Sequence, residues 1–263
     1  MTDTTPLQVE RHDAIAEIRL VRPDLLNRFD DELLTALGPV LLELADDEEI
    51  RAAVLSSTGK VFSAGGAFET ILRANADLRV LLGQVDLGRR LFRTIADFPK
   101  PLVTALHGDV FGVATSLVLT SDAVVATPTV RLGDPHVHMG LAAGDGGCVM
   151  WPANLPLVKA KRHLLWGEPI SAREAHDLGM VTDLVDNADD VRPRALELAS
   201  QVSQLPPIAV EMTKRALNKE LHARIDNVFD VAFYLEAISA QTSDVREAVA
   251  AFREDRPGSW SGR

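Results

Sequence analysis

"KPLVTALHGDVFGVATSLVLTSDAVVAT", residues 100–127, decides the fold. "PLVTALHG" (101–108) is a short apolar run closed by glycine, which reads as a strand buried on both faces. "HGDVFGVATS" (107–116) leaves the strand end, turns on glycine and starts a helix over about 112–121. "DAVVATP" (122–128) is a second apolar strand. Strand, turn, helix and strand make a βαβ unit, and such units build a mainly parallel sheet. Amides at a turn into a helix point outward with partial positive charge, so this stretch is a candidate anion site. On this segment alone, a structural turn is the plainer reading.

The flanks repeat the alternation. "DAIAEIRLV" (13–21) alternates apolar and polar residues as a half-buried strand does, and "RPDLLN" follows as a turn. Asp30 is placed to cap a helix through "DELLTALGPVLLELADD" (31–47), whose leucines recur at three and four. "RAAVLSS" (51–57) and "TVRLG" (129–133) read as strands, and 85–98 as a helix. From about residue 190 the pattern is only helical, through "RPRALELASQVSQL", "PIAVEMTKRALNKELHA", "IDNVFDVAFYLEAISAQ" and "DVREAVAAFRE". Those helices read as a separate lobe or an oligomer interface, with apolar faces that are core sooner than cofactor site.

A chain of 263 residues, 46% hydrophobic and 25% charged, suits one large globular domain with at most a small appendage. One cysteine, Cys148, excludes an internal disulfide, fits a reducing cytosol and reads as a small buried residue. "MTDTTPLQVERHD" has neither the basic nor the apolar region of a signal peptide. No apolar run approaches the roughly 18–20 residues of a membrane span. The expectation is a cytoplasmic protein without membrane contact. The net charge of −11 argues against nucleic-acid binding but leaves an anionic ligand open.

Four places could carry chemistry. "GKVFSAGGAFE" (59–69) holds a Gly-Gly pair that exposes backbone amides, though it is no phosphate-binding P-loop. "HGDVFGVATS" is the second. The third is "RLGDPHVHMGLAAGDGG" (131–147), with two histidines, two aspartates and five glycines. There Asp145, nine residues after His136, would orient the imidazole and stabilise its cation, leaving the other ring nitrogen as a base. Asp134 and His138 are rivals, since residues 134, 136 and 138 share a face if the segment is extended. The fourth is Ser116, as nucleophile of a triad with His136 and Asp145, but no G-x-S-x-G elbow surrounds it. No metal site is read.

Together these segments resemble the crotonase superfamily, also called the enoyl-CoA hydratase/isomerase family. "RPDLLNRFD" is similar to its R-P-x-x-x-N turn, and "VFSAGGAFE" to its F-x-A-G-A-D-L segment. The 100–127 stretch is similar to its K-P-x-I-A-x-x-x-G-x-x-x-G-G-G-x-E-L-x-x-x-C-D segment, and "GEPISAREAHDLGMVTDLV" to its G-x-x-x-x-A-x-x-A-x-x-x-G-L-V stretch. The resemblance implies an α/β ClpP/crotonase-like fold of repeated ββα units with a C-terminal helical trimerisation region. It divides the chain into a core over 1–195 and a helical oligomerisation region over 196–263, in homotrimers or pairs of trimers.

The resemblance further implies an acyl-CoA thioester substrate, with coenzyme A arriving as part of it and no separate cofactor. The oxyanion formed at the thioester carbonyl would be held by two backbone amides, of Gly66 and Val113. Leu26, Ala64, Gly66, Ala67 and Phe68 would lie near the CoA moiety. Arg22 and Arg28 are phosphate candidates, with a solvated surface role the plainer reading of each. The variable loop over the acyl pocket falls on 69–82, whose Ile71 and leucines suit an apolar acyl group. The two glutamates of a hydratase fall on Ser116 and His136, so neither is present. His136 and Asp145 remain, as in members that cleave cyclic β-diketones. The implied function is therefore an acyl-CoA enzyme, most simply a hydratase or isomerase, with a His/Asp pair in place of the glutamates. A carbon–carbon bond hydrolase and a catalytically weak acyl-CoA binder are the alternatives.

Overall fold

The computed structural model of the chain describes residues 5–263. It opens with an antiparallel hairpin of β1 (Leu7–His12) and β2 (Ile15–Leu20), of which only β2 is read above. The turn after β2 is tied by Asn27: its Oδ1 accepts from the Arg22 amide (2.9 Å), and its Nδ2 donates to the carbonyls of Thr58 (2.7 Å) and Phe62 (3.2 Å). Arg22 is buried, and its guanidinium pairs with Asp30 and Glu32, which corrects both the phosphate and the surface reading of that residue. α1 (Asp31–Asp46) starts where Asp30 accepts from the Leu33 amide, and it buries Leu33, Leu37, Leu41 and Leu44.

β3 (Ala52–Ser57) leads through the Gly-Gly segment into α2 (Phe68–Ala76) and α3 (Leu78–Asp97). Residues 69–82 are thus helical apart from the junction at Asp77, and the helix expected at 85–98 begins seven residues earlier. β4 (Leu102–Leu106), β5 (Val110–Phe111), α4 (Val113–Val118) and β6 (Ala123–Ala126) realise the strand–turn–helix–strand reading, with α4 ending short of 121. β7 (Arg131–Gly133) precedes a single helical turn at His136–Met139. α5 (Gly147–Asn154), α6 (Leu157–Trp166), β8 (Ile170–Ser171), α7 (Ala172–Asp177) and β9 (Asp183–Leu184) follow. The rest is α8 (Ala188–Ser203), α9 (Pro207–Arg224), a wide turn at Ile225–Phe229, α10 (Asp230–Ala240) and α11 (Ser243–Arg253).

The strands form two sheets. The larger has the order β1-β2-β3-β4-β6-β9 and is parallel from β2 onward; the smaller has the order β5-β7-β8. Alternate residues of the large sheet face different cores. Ala53, Leu55, Leu102 and Leu106 join the main core with α1 and α3, while Ala52, Val54, Val103 and Ala105 pack on Val191, Ala195 and Ala199 of α8. A sheet covered on both faces has to be apolar throughout, which is why β3 and β4 lack alternation. Residue 195 lies inside α8, on its sheet-facing side. Among the described residues, no helix is long and apolar enough to cross a membrane.

Lys100 explains the start of the deciding stretch. Its buried ammonium donates to the Leu44 carbonyl (2.6 Å) and to that of Asp47, satisfying the C-terminal end of α1. Lys214 of α9 donates in turn to the Lys100 carbonyl (2.8 Å) and to Asp122 (2.6 Å). α9 is thereby fastened to the residues that open β4 and β6.

Candidate active site

The Gly-Gly segment and the turn before α4 meet at one point. Gly65 packs so closely on Phe111 that a Cβ there would fall 2.7 Å from its carbonyl oxygen. Gly112, with φ of 58°, donates its amide to the Gly133 carbonyl (2.9 Å) and leaves Val113 as the first residue of α4. A first-turn amide has no acceptor within its own helix. On the other segment Gly65 accepts from Phe29 and Ala67 donates to Phe29, so the Gly66 amide between them points away from that pairing. Among the described residues, neither the Gly66 nor the Val113 amide donates to a backbone carbonyl. Both residues line a cavity of about 620 Å³.

His136 lines the same cavity as the two amides. It is buried, with Cε1 3.7 Å from the position a Gly112 Cβ would take. Its Nδ1 hydrogen-bonds Asp134, and its Nε2 lies 3.2 Å from Asp145 Oδ2. The expected pair is therefore three residues, and the roles shift. Asp134 orients the ring from behind, and Asp145 takes the nitrogen expected to be free. Burial alone pushes the imidazole down, but the Asp134 and Asp145 carboxylates outweigh it and hold its pKa well above the ordinary histidine value. His138 lines the cavity but does not join this set, and Asp134 belongs to it as a partner, not a rival.

The glycines of 131–147 now have reasons. Gly146 sits at φ of 127°, and a Cβ on it would meet Ser116 Cβ (2.6 Å) and the Phe92 ring (2.8 Å). Gly144 leaves α10 room: a Cβ on it would lie inside contact distance of the Ala232 carbonyl and 2.6 Å from Glu236 Cβ. That close approach brings Glu236 into the cavity wall beside the pair. Ligating atoms of His136, Asp145 and Glu236 all lie within 4.8 Å of one another. Burial, and then the Asp145 carboxylate, push the Glu236 carboxyl well above the usual range. Glu236 was missed in the sequence, although a signal was present. It falls with Phe233 and Ala240 on the apolar stripe of its helix, where a carboxyl is out of place.

Ser116 is not brought to the cavity. It is fully buried under Gly146, and among the described residues its hydroxyl has no hydrogen-bond partner, His136 included, so the Ser116 triad does not assemble. Leu26, Ala64, Ala67 and Phe68 do line the cavity beside Gly66, with half-buried Arg28 among them. Ile71 and Leu81 line it too, whereas Leu78 and Leu82 are exposed. Phe233 and Phe252 close it from the C-terminal helices. Cys148 is exposed, against its expected burial.

Comparison with known proteins agrees with this fold. The enoyl-CoA hydratase/isomerase family model matches residues 10–263. The 2,3-dehydroadipyl-CoA hydratase of Escherichia coli is 29% identical over 257 residues, covering 98% of this chain and 99% of that one. The crystal structure of an enoyl-CoA hydratase/isomerase from Mycobacterium paratuberculosis superposes with a TM-score of 0.89 at 36% identity, covering 95% of this chain and 99% of that one. A β-diketone hydrolase from the cyanobacterium Anabaena, bound to (S)-3-oxocyclohexyl acetic acid, superposes at 0.84 with 22% identity over 91% and 96% of the two chains, a likeness of fold alone. The two-sheet core and the helical C-terminal region are thus those of a crotonase fold, and the chain belongs to the enoyl-CoA hydratase/isomerase family.

Proposed function

We propose that this chain transforms acyl-CoA thioesters by hydration or double-bond isomerisation of an enoyl group. The Gly66 and Val113 amides would hold the thioester oxyanion, and the His136–Asp145 pair would move the proton. The observation that carries the reading is the convergence of two free amides and a buried imidazole–carboxylate pair on one apolar cavity. Preorganised amide donors are each worth roughly 10²–10³-fold in rate. Leu26, Ala64, Ala67 and Phe68, with Gly66 between them, would seat the CoA moiety at the mouth. The acyl group would run inward between Ile71, Leu81 and Phe233.

The test is a panel of enoyl-CoAs with wild type beside His136→Ala, following enoyl absorbance and product mass. Turnover that falls by about 10²-fold or more in the variant is the expected result. Absence of turnover across short, long and branched enoyl-CoAs would sink the reading. Carbon–carbon bond hydrolysis stands as a second reading, because the Asp145 carboxylate, paired with His136, is also equipped to activate water against a ketone. Ring opening of cyclic β-diketones, free or as CoA esters, would select it.

The same reading extends to assembly as a homotrimer or a pair of trimers. α6 exposes Leu157, Val158, Leu165 and Trp166, and the C-terminal helices expose Ile208, Leu217, Val231, Leu235 and Ile238. So much exposed apolar surface supports an interface there, and second copies of this chain are its proposed occupants. Sedimentation at three or six times the chain mass is expected. A monomer at micromolar concentration would overturn the assembly.

A further inference from the structure

We propose that Glu236, held as the neutral acid, delivers the proton to the substrate α-carbon, so that Asp145 and Glu236 together replace the missing pair of glutamates. The inference rests on the acyl-CoA reading above and adds to it a catalytic residue from the C-terminal helices.

Several independent observations carry it. Glu236 lines the cavity from α10, on the same wall as Asp145. Among the described residues its Oε2 and Asp145 Oδ1 are both buried without a hydrogen-bond partner, so each carboxyl has one oxygen uncommitted in the cavity wall. The approach that sets their spacing is built in, since only a residue without a side chain fits at position 144 against Ala232 and Glu236. Three carboxyl groups, of Asp134, Asp145 and Glu236, share a buried pocket with one imidazolium. The imidazolium offsets only one of the Asp134 and Asp145 carboxylates, so a third ionised carboxyl would add a second uncompensated buried charge. The direction of the Glu236 shift agrees with a group that keeps its proton.

The step balances. Asp145, as the carboxylate, accepts a proton from water. The hydroxide oxygen bonds to the β-carbon, and the double-bond electrons move through the α-carbon onto the thioester oxygen between the Gly66 and Val113 amides. As that electron pair returns to restore the carbonyl, the α-carbon takes the Glu236 proton. The net change is addition of one water, with the proton now on Asp145 and Glu236 ionised. Because ligating atoms of Asp145, His136 and Glu236 lie within 4.8 Å of one another, the proton returns from Asp145 to Glu236 by way of the imidazole, and the site is reset.

The experiment compares wild type with Glu236→Gln, which keeps the shape of the side chain and removes its acidic proton. Three readouts are taken: infrared difference spectra, wild type minus variant, near neutral pH; binding of a saturated acyl-CoA; and deuterium uptake at its α-carbon in D₂O. The expected results are a protonated-carboxyl band in wild type that the variant lacks, acyl-CoA affinity within a few-fold, and α-exchange lower by about 10²–10⁴-fold. A missing band, or α-exchange retained in the variant, overturns the role of Glu236 and leaves the acyl-CoA reading standing. A wild type that neither exchanges nor turns over any enoyl-CoA overturns both. Activity lost to a chelator and restored by a divalent cation would also overturn the proposal, because the His136–Asp145–Glu236 cluster would then be a metal centre and not a proton relay.

Discussion

Val113 occupies a position where a backbone atom can be deleted with little damage to the fold. It is the first residue of α4, where proline is tolerated because the amide there has no helical acceptor. Val113→Pro is therefore expected to fold, with a modest drop in melting temperature from lost packing. Its turnover should fall by roughly 10²–10³-fold, the loss of one oxyanion donor. Turnover near wild type would remove the Val113 amide from the site. His136 makes a prediction of a different kind. Its folded pKa is raised, and the groups facing it are Asp134 and Asp145 at the ring nitrogens, with Glu236 beyond. A raised histidine contributes stability that is complete below its unfolded value of 6.5 and is lost as pH rises through the folded value. The unfolding free-energy gap between wild type and His136→Ala should thus be widest below that value and should narrow in alkali. A gap that widens with pH would mean a neutral imidazole.

At the scale of elements, the site is made where a loop and a helix are pressed together. The 141–147 segment lies between Ser116 of α4 and α10, and glycine is required on both sides of Asp145. Gly144→Ala places a methyl group against the Ala232 carbonyl and Glu236 Cβ, so α10 must retreat. The cost expected from such overpacking is about 1–3 kcal/mol. Turnover should fall with it while acyl-CoA binding persists, which calorimetry and kinetics on one preparation would separate. An unchanged variant would mean that α10 does not need its present distance. The boundaries of these elements were only partly readable. The β4–α4–β6 unit was plain because its strands are apolar throughout and its glycines mark the turn. The short strands β5, β8 and β9 have two residues each, too few for any period. Helix 69–82 was read as a loop because Asp77 interrupts it and its charges mask the apolar face that Ile71 and Leu81 turn to the cavity.

Across the whole molecule, one buried carboxylate ties the N-terminal sheet to the C-terminal helices. Glu17 of β2 is fully buried and accepts from Ser56 (2.6 Å), from Arg19, and from Arg192 of α8 at 2.8 and 2.6 Å. Burial raises its pKa, but Arg192 and the other donors overcome this and bring it to about 2. A depressed carboxylate contributes stability above its unfolded value of 4.5 and loses it as pH falls toward about 2. Glu17→Gln is expected to cost about 2 kcal/mol at neutral pH, the scale of hydrogen bonds to a charged group. Denaturant titrations should show the difference vanishing near the bottom of that window; a difference independent of pH would exclude the ionised form. By itself the sequence made legible the parallel α/β core, the helical C-terminal region and the glycine turn at 112, and it offered Asp145 as one partner for His136 beside the rivals Asp134 and His138. Each of these depends on periodicity, on turn residues or on a separation of a few positions, which act locally along the chain. Only the tertiary structure decided that Asp134 holds the ring, that Ser116 is sealed beneath Gly146 and that Glu236 completes the cluster. The Ser116 and Glu236 outcomes follow from how closely α4 and α10 pack against the 141–147 segment, and the Asp134 contact from the helical turn the chain takes at His136; close packing is a property of surfaces that exist only once the chain has folded.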